Sequence, residues 1–183
     1  MKVFFSASPR FLKSNEDLLR KIYFEIEKLG HQNLSKLVIE NDVDLFYNLD
    51  DAGREEHFNI TMDHIQNSDV VVVEASIHSM SMGYIVERAL NLSKQVIVLY
   101  TGDNEPFFFS GSKNERLQII DYTIENIVVS LKEAFDYACN AQDIRFNMIF
   151  SSELNSFLKK VAEANNISRA SYIRSLIRKQ MEE

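Results

Sequence analysis

Small hydroxyl side chains gather in two stretches of this sequence: Ser6 and Ser8 near its start, and Ser76, Ser79 and Ser81 just ahead of Gly83. Serine hydroxyls and free backbone N–H groups at a helix start suit an anion such as phosphate, because the helix dipole and the unpaired donors both favour negative charge. Serines are also common in such loops, and no Gly-rich P-loop accompanies these. The candidate carboxylates are Glu74, which ends an apolar run, and Asp63 and Glu87, which fall in helical stretches. His31, His57, His64 and His78 show no metal-ligand spacing with one another or with Cys139, so no metal is expected; no cofactor is expected either. The single cysteine excludes an intrachain disulfide and reads as a small residue on a helix.

The elements that must position these groups follow from periodicity. Lys2 to Ser6 reads as a buried strand. Ser14 to Asp17 has the capping-box pattern, and Leu18, Leu19, Ile22, Ile26 and Leu29 then recur at helical spacing up to Gly30, a C-terminal cap. Residues 40–56 are acidic and unpatterned, which predicts a surface loop, with a helix over Glu55 to Gln66. Asp69 to Val73 and Gln95 to Tyr100 are continuous β-branched or aliphatic runs, the mark of strands buried on both faces. Between them lie a polar turn from Glu74 to Met82 and a helix from Gly83 to Leu92, so the unit is a βαβ crossover. A long loop from Thr101 to Glu115, a short strand over Leu117 to Ile120 and a helix from Tyr122 to Tyr137 complete an α/β body.

The remainder of the chain has another pattern. Phe146, Met148 and Phe150 alternate at period two. A helix over Ser151 to Asn165 carries Leu154, Leu158, Val161 and Ala162 on one face, and a second over Ser168 to Gln180 carries Tyr172, Ile173, Leu176 and Ile177. Under 40 residues of strand, helix and helix hold too little core to stand alone, so this tail must dimerise or dock. Charge divides the same way. Residues 1–144 hold 13 Lys/Arg against 23 Asp/Glu, whereas residues 145–183 hold 7 against 4. The acidic body is a poor partner for nucleic acid, and the basic tail permits one. No apolar run approaches the ~20 residues of a membrane span. No signal-peptide pattern opens the sequence, and the expected compartment is the cytoplasm.

The tail resembles the ribbon-helix-helix family of DNA-binding proteins over residues 144–182, on R-F-N-M-I-F-S followed by E-L-x-x-F-L-K-K-V-A-E-A-N-N-I-S-R-A-S-Y-I-R-S-L-I. The resemblance implies a two-chain antiparallel ribbon with Phe146, Met148 and Phe150 facing inward and Arg145, Asn147 and Ile149 facing the major groove. Arg suits guanine and Asn suits adenine; Ile149 departs from the usual polar residue. The second helix would present Ser168 and Arg169 to a DNA phosphate, although capping alone would also explain Ser168.

The body is similar to the nucleoside 2-deoxyribosyltransferase superfamily, which includes the deoxynucleoside monophosphate N-glycosidases. The main support is S-D-V-V-V-V-E-A-S-x-x-S-x-S-M-G-Y-x-x-x-R-A-L-x-x-x-K-Q-V-I-V-L-Y over residues 68–100, with F-F-S-A-S-P-R over 4–10. The resemblance implies a Rossmann- or flavodoxin-like parallel sheet flanked by helices, with a nucleotide above the strand ends. Members that cleave the glycosidic bond use a Tyr, an Asp and a nucleophilic Glu. This chain has Phe4, Thr61 and Ile85 at those positions. Asp63 and Glu87 lie two residues further along, roughly 200° round a helix. The resemblance also sets Glu74 near the sugar, where it either accepts from ribose hydroxyls or caps a neighbouring loop. A rival likeness, Ser79-x-Ser81-x-x-Tyr84-x-x-Glu87, is to TIR domains, some of which cleave NAD.

These readings predict a nucleotide-binding domain over 1–142, using Ser6, Ser8, Glu74, Ser76, Ser79, Ser81 and Gly83. A ribbon-helix-helix domain over 144–183 follows, and the whole forms a homodimer or a higher even-numbered oligomer. The expected function is a ligand-responsive transcriptional regulator with a degenerate pocket. The alternative is an active N-glycosidase, or a TIR-like glycohydrolase using Glu87, whose tail only assembles it.

Overall fold

A computed structural model describes residues 1–40, 43–140, 150–165 and 169–181. Five strands form one sheet: β1 (Lys2–Ala7), β2 (Gln32–Asn33), β3 (Val70–Glu74), β4 (Gln95–Tyr100) and β5 (Leu117–Asp121), in the order β2-β1-β3-β4-β5. Every pairing is parallel, with Phe4 beside Val71, Val72 beside Ile97 and Leu99 beside Ile120. This is the α/β, Rossmann-like architecture, in its flavodoxin-like strand order. The apolar runs of β3 and β4 occupy its centre, and every residue of β3 is buried. Alternate residues feed two cores. Val3, Phe5, Val72 and Ile97 pack with Leu19, Ile22 and Ile26 of α1 (Pro9–Lys28) and Leu131 and Phe135 of α7 (Ile127–Asn140). Phe4, Val71, Val73 and Val98 pack with Ile65 of α4 (Asp51–Asn67) and Ile85 and Val86 of α5 (Met80–Asn91).

Local chemistry moved several boundaries. Helix α1 starts at Pro9, well before Ser14, because proline is pre-shaped for a first helical turn. Asn15 interrupts it with φ −140° and ψ 36°, so the Ser14 signal marks the second of two merged segments. Gly30 has φ +83° and ends the helix as expected, with the His31 N–H donating to the Ile26 carbonyl at 3.2 Å. The segment expected to be a loop over 40–56 instead contributes the last residue of α2 (Leu37–Glu40), all of α3 (Val43–Tyr47) and the start of α4. The acidic residues there act as helix signals: the Asp50 carboxylate accepts from the Gly53 N–H at 2.8 Å. Helix α5 begins three residues earlier than Gly83, at Met80. The long loop after β4 contains α6 (Phe107–Ser110). Helix α7 begins at Ile127 rather than Tyr122, because Thr123 and Asn126 exchange side chain-to-backbone bonds of 2.7 and 3.3 Å that cap it.

The chain divides into two compact units, Met1–Gln142 and Asp143–Glu183. In the second, α8 (Ser152–Ala164) is capped by Ser151, whose hydroxyl accepts from the Leu154 N–H at 3.3 Å, and α9 (Arg169–Met181) follows. Leu158 and Ala162 are buried, while Leu154, Phe157, Leu176 and Ile177 remain exposed. Of the expected ribbon, Phe150 has no strand conformation; residues 145–149, with Arg145 and Asn147, lie outside the described residues, as does Ser168. No helix among the described residues is long and apolar enough to cross a membrane.

Candidate functional site

The strand order reverses between β1 and β3. From β1 the chain turns into α1 and crosses to β2 on one side; from β3 it turns into α5 and crosses to β4 on the other. A crevice must open at the carboxyl ends of two adjacent parallel strands whose onward connections leave to opposite sides. A cavity of about 830 Å³ occupies this place, bounded also by α2, α3 and α4.

One end of the cavity is polar. Ser6, Ser8, Ser79 and Ser81 line it, together with Arg10. Ser8 and Ser79 are the N-cap residues of α1 and α5, and neither side chain bonds to its own helix. Two helix starts therefore meet here with their N-cap hydroxyls uncommitted to capping. Arg10 bridges the two loops, its Nη2 donating to the His78 carbonyl at 3.2 Å. Ser6 Oγ lies 3.8 Å from Met82 Sδ. Helix starts, hydroxyls and a guanidinium in one crevice suit an anion.

The floor is apolar or neutral. Phe4, Thr61 and Ile85, drawn from β1, α4 and α5, meet there at 1%, 7% and 5% exposure. No carboxylate is among the described lining residues. Asp63 is exposed and accepts from the Asn67 side chain at 2.9 Å; Glu87 is exposed and accepts from Asn91 at 3.0 Å. The helical rotation that separates them from Thr61 and Ile85 carries both outside the cavity, so the TIR-like use of Glu87 has no acid in the cavity. His64, from the same turn of α4 as Asp63, lies against Phe4 with ring centroids 5.4 Å apart and is not in the lining.

The other end is aromatic. Phe46, Tyr47, His57, Phe58 and Tyr84 line it. Phe58 of α4 and Tyr84 of α5 form a tilted ring pair, with centroids 6.2 Å apart, planes inclined by 39°, and each about half exposed. His57 packs edge-on to Phe46, and burial holds its pKa below the usual imidazole range.

Glu74, Ser76 and Gly83 fall outside the cavity lining. The Glu74 carboxylate is wholly buried. It accepts from the Ser76 N–H at 3.3 Å, from the Ser76 hydroxyl, and from Tyr122 Oη at 3.2 Å. Ser76 Oγ in turn accepts from the Thr101 N–H at 3.0 Å. In place of a ribose contact, Glu74 ties together the carboxyl ends of β3, β4 and β5. Burial pushes its pKa up to about 7, against the opposing pull of its hydrogen bonds to Ser76 and Tyr122. Gly83 borders a smaller hollow with Pro106, Phe107 and Phe108, and a Cβ there would meet nothing within 4 Å. In the second unit, Arg169 Nη1 donates to Asn155 Oδ1 at 2.6 Å, joining the start of α9 to α8.

The sequence reading missed Arg10, Phe58 and Tyr84 as site residues. Arg10 has a sequence signal, since it directly follows Pro9 at a helix start beneath the serines. Phe58 has none and reads as an ordinary helix residue until α4 and α5 are packed together, and Tyr84 enters the sequence only as the aromatic of the TIR-like pattern.

No family model and no curated protein sequence matches the chain. Among solved structures, it is similar to the CMP N-glycosidase BcmB of Clostridium botulinum, at 14% identity and a TM-score of 0.53, over 72% of this chain and 98% of that one. It also matches a de novo designed Rossmann 2x3 fold protein, at 13% identity and a TM-score of 0.47, over 82% of this chain and 98% of the design. The likeness to the glycosidase shows that the body shares its fold.

Proposed function

We propose that the body binds a nucleotide or a related phosphate ester without cleaving it, and that the C-terminal unit is a ribbon-helix-helix dimer that binds DNA in response. The observation that carries this reading is the switch-point cavity, which combines an anion-binding end with a floor of Phe4, Thr61 and Ile85 and no carboxylate among its described lining residues. Retaining cleavage of a glycosidic bond needs a nucleophilic carboxylate and a general acid within reach of the anomeric carbon. Phenylalanine, threonine and isoleucine offer neither. Ser6, Ser8, Ser79, Ser81 and Arg10 hold the phosphate in this reading.

The DNA-binding half rests on the basic tail, with 7 Lys/Arg against 4 Asp/Glu over residues 145–183, and on the helix pair α8 and α9. Leu154, Phe157, Leu176 and Ile177 supply apolar surface for a second copy to cover. Arg145 and Asn147 would read bases, and Ser168 and Arg169 would meet a phosphate.

The similarity to a CMP N-glycosidase favours a second reading, in which rearranged acids retain cleavage and the tail only assembles the enzyme. One experiment separates the two. The full chain is incubated with CMP, other nucleoside and deoxynucleoside monophosphates and NAD, following base release by chromatography and the melting temperature in parallel. A higher melting temperature without base release is expected, because a ligand that binds only the folded state stabilises it. Base release abolished in Glu87→Gln or Asp63→Asn would replace the first reading with the second.

A further inference from the structure

We propose that Phe58 and Tyr84 form an aromatic clamp that takes the planar base of the ligand by stacking, so that the site recognises a phosphate and an aromatic face but reads the base edge weakly. The inference rests on the phosphate-ester reading above and adds what the other end of the ligand must be.

Two large rings of the cavity lining stand half exposed, at 49% and 51%, on different helices, as a tilted pair. Leaving two aromatic faces partly in water forgoes burial that either ring would gain by packing inward. Their separation suits an occupant. A planar ring held between two others at van der Waals contact needs them about 7 Å apart. The observed 6.2 Å with a 39° tilt requires the pair to open by roughly 1 Å and become parallel. Both side chains are exposed enough to rotate without disturbing the core.

The spacing along α5 agrees. Tyr84 lies four residues beyond Met80, the first residue of the helix, hence roughly 6 Å along its axis from the anion-binding end. That is the reach of one pentose between its 5′-phosphate and its base. The sugar then lies over Phe4, Thr61 and Ile85.

The lining also lacks the side chains that read base edges in pairs of hydrogen bonds. Those are Asn and Gln for adenine, Asp and Glu for cytosine, and Arg for guanine. Among the described lining residues only Arg10 belongs to this set, and it lies at the phosphate end bound to the His78 carbonyl. Stacking is tolerant of base identity because every base has a π-face.

The test is calorimetric titration of the full chain with AMP, GMP, CMP, UMP and ribose 5-phosphate. All four nucleotides should bind more tightly than ribose 5-phosphate and within about tenfold of one another, since a bidentate edge contact would spread them further. Phe58→Ala and Tyr84→Ala should each weaken the nucleotides roughly 5- to 100-fold, the worth of one stacked base, and leave ribose 5-phosphate unchanged. Phe58→Tyr should restore nucleotide binding. Equal losses for nucleotides and ribose 5-phosphate, or no loss at all, would overturn the clamp. So would wild-type binding of ribose 5-phosphate as tightly as the nucleotides, which leaves the phosphate-ester reading standing. Binding of none of the five would refute that reading, and the clamp with it.

Discussion

Replacing Glu74 by glutamine should flatten the pH dependence of stability. The Glu74 carboxyl is fully buried, and its described partners Ser76 and Tyr122 stay neutral throughout the neutral range. Burial raises its folded pKa to about 7 from an ordinary 4.5. A group with a raised folded pKa binds its proton more tightly in the native state. Its contribution is therefore fully present below about pH 4.5 and is lost as pH rises through about 7. The difference of roughly 2.5 pH units corresponds to about 3 kcal/mol, a substantial part of the 5–15 kcal/mol that holds a typical domain folded. Glutamine keeps an oxygen to accept from Ser76 and Tyr122 but does not titrate. Urea unfolding of both proteins at steps from pH 4.5 to 9 measures the effect. Glu74→Gln should gain on the wild type progressively through pH 5–8, by up to about 3 kcal/mol. His31, His57 and His64, whose pKa values are lowered chiefly by burial, are common to both proteins and cancel in the difference. Parallel curves would refute the argument, because they would mean that the buried carboxylate costs nothing. A variant that loses ground as pH rises would show that the ionised form is stabilised by a partner.

Other outcomes follow from the same structure. Arg10→Ala should weaken binding of AMP and ribose 5-phosphate roughly 10- to 100-fold by calorimetry, the worth of a charge-assisted hydrogen bond, while leaving the melting temperature of the unliganded chain nearly unchanged. Leu19→Ala, at a wholly buried position of α1, should cost about 2–5 kcal/mol in urea unfolding by opening a cavity beneath the sheet. If the tail binds DNA, affinity measured by fluorescence anisotropy should fall steeply with salt, because each neutralised phosphate releases counterions. Arg145→Ala should then cost roughly 1–3 kcal/mol. A chain ending at Asp143 should lose DNA binding and part of its oligomeric order by light scattering. Retained DNA binding in that truncation would move the contact to the acidic body.

The buried strands were legible because a run such as Val70–Val73 has one comfortable environment, a strand covered on both faces, and needs no partner to announce it. Gly30 was legible for a similar reason: its left-handed φ is a local demand met by a local residue type. The segment over 40–56 was not, since its acidic residues serve both as solvated loop and as helix caps, and only the neighbouring backbone decides between those uses. The site divides along the same line. Ser6, Ser8, Ser79 and Ser81 could be placed at the cavity from sequence, because strand ends and helix starts are local events. Whether Glu74 faced the cavity or the interior depended on Tyr122, 48 residues away, whose hydroxyl reaches its carboxylate. The pairing of Phe58 with Tyr84 depended on how α4 and α5 pack, and so did the departure of Asp63 and Glu87 from the floor. Hydrophobic period and capping are properties of a few consecutive residues. Burial, and with it the pKa of a carboxylate or the availability of an aromatic face, is a property of what other segments bring alongside, and only the tertiary structure decides it.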